Sequence, residues 1–197
     1  MMKRLLIVFL VILSTLFFAN SLLKIADIYK TKEGTTVEAT GIVLAPVGVL
    51  GTLTTYMQDE TAGIMLYGKV LPADLKVGDV IKVAGKTKVY YGILEIIPDK
   101  VEILGTATPT AVELKDDKFE KYLSNLVVVV GTVSSVEKFQ FRVKTDKFEI
   151  LVYIRKEVPF KVDTLKVGDK VEVTGIMYLY QGMYEILPRR PEDIKKF

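Results

Sequence analysis

Apolar and polar positions alternate from residue 36 to residue 43, with Val37, Ala39, Gly41 and Val43 on one phase and Glu38, Thr40 and Ile42 on the other. A period of two marks a half-buried strand. An apolar loop containing Pro46, Gly48 and Gly51 follows, then two short strands over residues 53–58 and 64–67. Their connection, Asp59-Glu60-Thr61-Ala62-Gly63, has the residue types of a hairpin turn. A link through Pro72 and Ala73 leads to Leu75-Lys76-Val77-Gly78-Asp79. Glycine supplies a positive φ cheaply and aspartate bonds its neighbouring backbone, so Gly78-Asp79 is a turn. It releases a strand with Ile81, Val83 and Gly85 facing inward, a hairpin tip at Tyr90-Tyr91-Gly92, and a return strand over residues 93–97 stopped by Pro98. The pattern predicts five strands.

The same pattern is then written again. Leu165-Lys166-Val167-Gly168-Asp169 stands ninety positions after its first copy, and Val83, Gly85, Tyr90, Gly92, Glu95, Ile96, Pro98 and Glu102 recur as Val173, Gly175, Tyr180, Gly182, Glu185, Ile186, Pro188 and Glu192 without a gap. Gly131 keeps the register of Gly41. A repeat of this length fits two small domains rather than a solenoid, with boundaries at residues 22–108 and 109–197. A glycine inside each strand marks a bulge or the bend of a small barrel. Two short helices are expected as connections, over residues 22–30 and 116–123, the second placing Phe119, Tyr122 and Leu123 on one face. In the second copy the hairpin over residues 139–154 alternates cleanly. Phe139, Phe141, Val143, Phe148, Ile150 and Val152 point inward, leaving Gln140, Arg142, Lys144, Glu149, Leu151, Tyr153 and Arg155 outside. In the first copy the matching outer face is assigned to Thr55, Met57, Met65 and Tyr67, a largely apolar set that suits packing against the sister domain or another protein.

The N-terminus differs from the rest. Lys3 and Arg4 precede an apolar run over residues 5–13, a second patch at Leu16-Phe17-Phe18, and the small-residue ending Ala19-Asn20-Ser21. Residues 1–21 therefore read as a secretory signal peptide, which makes the chain secreted or periplasmic. The rival is an uncleaved anchor, since this region approaches the roughly 20 residues of a membrane span; membrane association would arise only in that way. Without Lys3 and Arg4 the chain carries 25 basic against 24 acidic residues, a net charge of +1, so bulk charge is no guide to nucleic acid. No Cys, His or Trp is present among the 197 residues. That removes disulfides, thiol catalysis and Cys/His zinc sites, along with the commonest general base near neutral pH. The expectation is a non-catalytic protein without cofactor or metal, in which Asp59, Glu60, Glu95 and Glu185 are structural and the Arg189-Arg190 pair is solvated.

Five short strands with glycine bends fit an OB-fold, a five-stranded Greek-key barrel, although spacing alone leaves SH3-like barrels and lipocalin fragments open. The motifs Gly41-Ile42-Val43, Tyr56-Met57-Gln58-Asp59 with Gly63-Ile64, residues 75–85, and Tyr91-Gly92-Ile93-Leu94-Glu95-Ile96 resemble the OB-fold modules of secreted bacterial nucleases and related extracellular proteins. The lead-in Ile25-Ala26-Asp27 with Gly34-Thr35-Thr36-Val37 is similar too. The second copy departs from the pattern, with Thr145-Asp146-Lys147 in place of the Gln-Asp-x-x-x-Gly turn. The resemblance implies an all-β chain of two tandem five-stranded barrels with a nucleic-acid-binding accessory role.

Single strands are bound on OB barrels by a basic groove with stacking aromatics, on strands two and three and the loops beside them. Candidate ligand-binding residues are accordingly Arg142, Lys144, Tyr153 and Arg155 on the outer face of the second copy, and Tyr67 on the first. Tyr90, Tyr91, Lys88 and Tyr180 join them from the tips of the last hairpins. The expected partner is single-stranded DNA or RNA; the alternatives are an envelope protein or an oligosaccharide.

Overall fold

The structure, a computed structural model, describes residues 22–197; the expected signal peptide at residues 1–21 lies outside them. The first copy forms β1 (Thr36–Val43), β2 (Thr54–Gln58), β3 (Gly63–Tyr67), β4 (Asp79–Tyr90) and β5 (Ile93–Thr106). The sheet runs β1-β2-β3-β5-β4 and closes because β4 returns to pair antiparallel with β1. β3 and β5 run parallel, the crossing expected of the Greek-key OB barrel. After a two-residue strand β6 (Val112–Glu113), the second copy repeats the scheme with β7 (Leu126–Val136), β8 (Gln140–Lys144), β9 (Glu149–Tyr153), β10 (Lys170–Tyr180) and β11 (Met183–Leu187). Here β11 runs parallel to β9, and β10 closes onto β7. A last strand, β12 (Ile194–Lys196), pairs with β10. The chain is all-β, two closed five-stranded barrels in tandem.

The repeated motif builds the same local geometry twice. Gly78 and Gly168 have φ of +97° and +96°, and the backbone N–H groups of Lys76 and Lys166 donate to Asp79 and Asp169 carboxylates, each at 2.8 Å. Gly78 and Gly168 in turn donate to the carbonyls of Val43 and Val133, both at 2.9 Å, which ties the turn to the end of the first strand. Gly85 and Gly175 mark the barrel corner. A Cβ at Gly85 would lie 2.2 Å from the Ile97 carbonyl oxygen, and one at Gly175 would lie 2.6 Å from that of Leu187. Only a residue without a side chain lets the crossing strand come so near.

Each barrel has its own core. Val37, Ala39, Met57, Ile64, Leu66, Ile81, Val83 and Ile96 fill the first. One end is plugged by Ile25 and Ile28 of the short helix α1 (Ile25–Ile28), a single turn anchored where the Ile25 N–H donates to Asp59 at 2.8 Å. The second core is built from Phe141, Val143, Ile150, Val152, Val171, Val173, Met177 and Ile186.

Four expectations are corrected. The helix over residues 116–123 is only a 3-10 turn, Phe119–Tyr122, in which Phe119 reaches the second core. Phe139 stands before β8 and is exposed, with the Lys138 ammonium over its ring, and is not part of the inward row. The gap-free register ends at Pro188. Val83 pairs with Val101, but Val173 pairs with Ile194, three positions later than the repeat would place it, because the 3-10 turn Pro191–Asp193 is inserted. Glu102 and Glu192 are thus not equivalent. In β2 the phase is reversed, with Thr55 and Met57 facing the barrel interior and Thr54, Tyr56 and Gln58 facing out. Every residue of β2 is buried, since the second barrel covers its outer face, so the alternation that reveals a half-buried strand is lost.

Candidate functional site

The covering contact joins Leu44, Ala45, Leu50, Tyr56, Met65 and Ile93 of the first barrel to Leu126, Ile176 and Leu187 of the second, in one continuous apolar cluster. The apolar face of the first copy is therefore a packing surface for its sister barrel. Polar clamps fix the register. Gln58 donates to the Thr110 carbonyl at 2.8 Å and accepts from the Leu126 N–H at 3.1 Å. At Gly63 a Cβ would lie 2.2 Å from the Ser124 carbonyl oxygen. The Gln-Asp-x-x-x-Gly turn is thus a docking device, in which Asp59 caps its own loop and α1 while Gln58 and Gly63 seat the second barrel.

Arg189 was expected to be solvated; it is 8% exposed and crosses the junction. Its guanidinium pairs with Asp193 at 2.8 and 2.9 Å, and Nη1 donates to the Leu44 carbonyl at 2.8 Å. The inserted 3-10 turn positions Asp193 for this contact. Arg190, by contrast, is exposed.

At one edge of the junction the packing opens into a cleft of about 290 Å³. The first barrel contributes Leu50 and Gly51 from the loop after β1, Thr54 and Tyr56 from β2, Met65 and Tyr67 from β3, Lys88 and Tyr90 from β4 and Glu95 from β5; the second contributes Arg155 and Tyr178. Sheet pairing explains the assembly: Glu95 lies beside Met65 across the parallel β3–β5 pair and beside Lys88 across β4–β5. In the second barrel Glu185 lies beside Leu151 and Tyr178 in the same way. The Arg155 guanidinium sits 5.4 Å from the Tyr153 ring centroid and 5.5 Å from that of Tyr178, within cation–π range of both. Its Nε is buried without an acceptor. At the mouth, Lys88 lies 5.8 Å from the Tyr90 centroid and Tyr90 packs edge-on against Tyr91.

Two carboxylates are missing from the candidate binding residues: Glu95 lines the cleft, and Glu185 pairs with the cleft residue Tyr178 without lining it. Glu95 is 2% and Glu185 4% exposed, and neither accepts a hydrogen bond from another described residue. Burial pushes both carboxyls up from the ordinary range, opposed by Lys88 for Glu95 and by Arg155 for Glu185. Burial likewise raises the Tyr56 hydroxyl far above its usual value, with Tyr178, Arg155, Glu185 and Glu95 all within electrostatic reach. The cleft thus combines aromatic walls, two cations and one buried carboxylate, Glu95, without a donor. The repeat held the signal for the carboxylates, because Glu95 and Glu185 occupy one register position in otherwise apolar return strands.

The cleft brings together Tyr67, Lys88, Tyr90 and Arg155, with Tyr153 behind Arg155. The other candidates lie elsewhere. Tyr91 and Tyr180 stand exposed at two hairpin tips whose turns match, with φ of +49° at both Tyr91 and Gln181. Arg142 is 3.7 Å from Glu149, and Lys144 is exposed at the far end of β8. Among the described residues no cluster of carboxylates is arranged to hold a metal ion, and no helix is long and apolar enough to cross a membrane.

No family model matches the chain. Among curated proteins it aligns with the endonuclease YhcR of Bacillus subtilis, 27% identical over 79% of this chain, and spans 14% of that protein's length. Solved structures with a related outline include a murine DNA-binding protein bound to double-stranded DNA, 14% identical over 81% of this chain and 97% of the other, with a TM-score of 0.39. Another is the Ifi202 HINa domain in complex with double-stranded DNA, 16% identical over 79% of this chain and 92% of the other, with a TM-score of 0.37. The Escherichia coli protein ygiW covers 43% of this chain and 90% of its own length, 14% identical, with a TM-score of 0.36. Strand order, parallel closure and the alignment agree with the resemblance read from the motifs: the chain is a tandem pair of OB-fold modules, similar over most of its length to a segment of a bacterial endonuclease.

Proposed function

We propose that this chain is a secreted, non-catalytic tandem OB-fold protein that binds single-stranded nucleic acid. The observation that carries the reading is the convergence of Tyr67, Lys88, Tyr90, Arg155 and Tyr178, drawn from two barrels, on one cleft. Stacking rings beside cations are what sequence-tolerant binding of a single strand uses, and Arg155, held between two tyrosine rings, is pre-organised for it. The likeness to a bacterial endonuclease supports a nucleic-acid context, with the activity itself belonging to that protein. Secretion rests on the charged, apolar and small-residue order of residues 1–21. The non-catalytic reading rests on the absence of His and Cys from the sequence. Titration of a labelled oligonucleotide at two salt concentrations tests the proposal, because phosphate contacts release counterions and make affinity salt-dependent.

One observation favours a second reading. The buried Glu95 carboxylate in the cleft suits the hydroxyls of an oligosaccharide, whose apolar ring faces would lie on the tyrosines. A glycan array that responds while the oligonucleotide titration stays flat would select it.

A further inference from the structure

Resting on the nucleic-acid reading, we propose that the junction cleft is a base pocket that selects guanine, with the Glu95 carboxylate as the reading group. A buried carboxylate without hydrogen-bond donors is unfavourable unless a ligand supplies them. Glu95 is in that position: it is 2% exposed, lines the cleft and receives no donor from the described chain. Two carboxylate oxygens lie side by side, so their best complement is a pair of parallel N–H groups in one plane.

Among the bases guanine alone presents that pair on its Watson–Crick edge, the ring N1–H beside the exocyclic amine. Adenine and cytosine offer an amine next to a ring acceptor, and thymine or uracil a single N–H between two carbonyls. In each case a lone pair would face the carboxylate. Guanine also carries an acceptor at O6. The Tyr56 hydroxyl and the unpartnered Arg155 Nε are donors of the same cleft region, and Tyr56 makes no hydrogen bond to a described residue.

Size and charge point the same way. About 290 Å³ is at the small end of ligand pockets, enough for one base and not for several. Lys88 and Arg155 place cations in a cleft lined with tyrosines, which suits a phosphate attached to a stacked base; a neutral sugar needs neither. The strand would run past the mouth and insert one guanine.

The test uses the full chain and two fluorescent probes, a short oligothymidylate and the same oligomer with one central dG, read by anisotropy. The dG probe is expected to bind at least about fivefold more tightly, the lower range of discrimination for a bidentate base contact. In Glu95→Gln the ratio of the dG to the oligothymidylate affinity is expected to fall to about one. Equal binding of both probes overturns the guanine pocket and leaves the nucleic-acid reading standing; no binding of either overturns both. A dG preference that survives in Glu95→Gln places the discrimination elsewhere and also overturns the pocket. A pH profile of the unmodified chain gives a readout independent of that variant's folding. Protonation of Glu95 removes one acceptor, so the dG preference is expected to fade on acidification, and a preference constant with pH contradicts the assignment.

Discussion

Arg189 and Leu44 belong to different barrels and are joined by a buried hydrogen bond of 2.8 Å, from the guanidinium Nη1 to the carbonyl oxygen. Asp193 holds the guanidinium in place from the same barrel. Removing the arginine side chain leaves the buried Asp193 carboxylate with the residue 189 backbone N–H and the Arg190 guanidinium 3.6 Å away, and breaking a buried pair costs up to about 3–5 kcal/mol. Arg189→Ala is therefore expected to lower the denaturation midpoint strongly and to let the two barrels unfold in separate transitions. Urea unfolding followed by circular dichroism checks it.

The glycines at the barrel corners predict a contrast. Gly85→Ala places a methyl group where the Ile97 carbonyl oxygen stands and forces the crossing strand outward, a strain of about 1–3 kcal/mol or more. Gly168→Ala meets open space and suffers only from its positive φ, about 1 kcal/mol. Thermal melts of the two variants should rank in that order.

The buried carboxylates set a pH dependence. Burial raises the Glu95 and Glu185 carboxyls, so the folded chain holds these protons more tightly than the unfolded one. Their contribution is most favourable below the unfolded carboxylate value, about 4.3, and falls as pH rises through the raised folded values. Glu95→Gln and Glu185→Gln have no charge to bury. Each is expected to raise Tm at neutral pH and to match the parent below about pH 4. A Glu95→Gln chain less stable than the parent at neutral pH would show that the folded protein favours the ionised carboxylate.

Much of this architecture was legible in the chain. Strands with one wet face, such as β1 and β8, keep their alternation, and the Gly-Asp turns carry their chemistry in two residues. β2 was misphased because Tyr56 on its outer face is as deeply buried as Met57 on its inner one. Arg189 looked solvated because its partner Asp193 sits on an inserted turn and its acceptor Leu44 lies 145 positions away. The cleft has no signature in the sequence for the same reason, since half-sites on separate barrels become one site only through docking. The Gln58 and Gly63 signal for that docking was visible as a motif, and its absence from the second copy fits a device that only the first barrel needs.

Binding should discriminate among the basic residues. Arg155→Ala removes a cation held by two rings and is expected to weaken oligonucleotide binding by about 1–2 kcal/mol, with the salt slope reduced by about 0.7. Arg142→Ala removes a cation already next to Glu149 and outside the cleft, and should change affinity less than twofold or so. Anisotropy titrations of both variants over a salt series provide the comparison.

The most direct measurement is the titration of a labelled oligothymidylate with the full chain at low and at physiological salt. Saturable binding that weakens as salt rises is the predicted result. No binding at low salt, or binding indifferent to salt, would contradict the claim that the junction cleft receives a nucleic-acid strand.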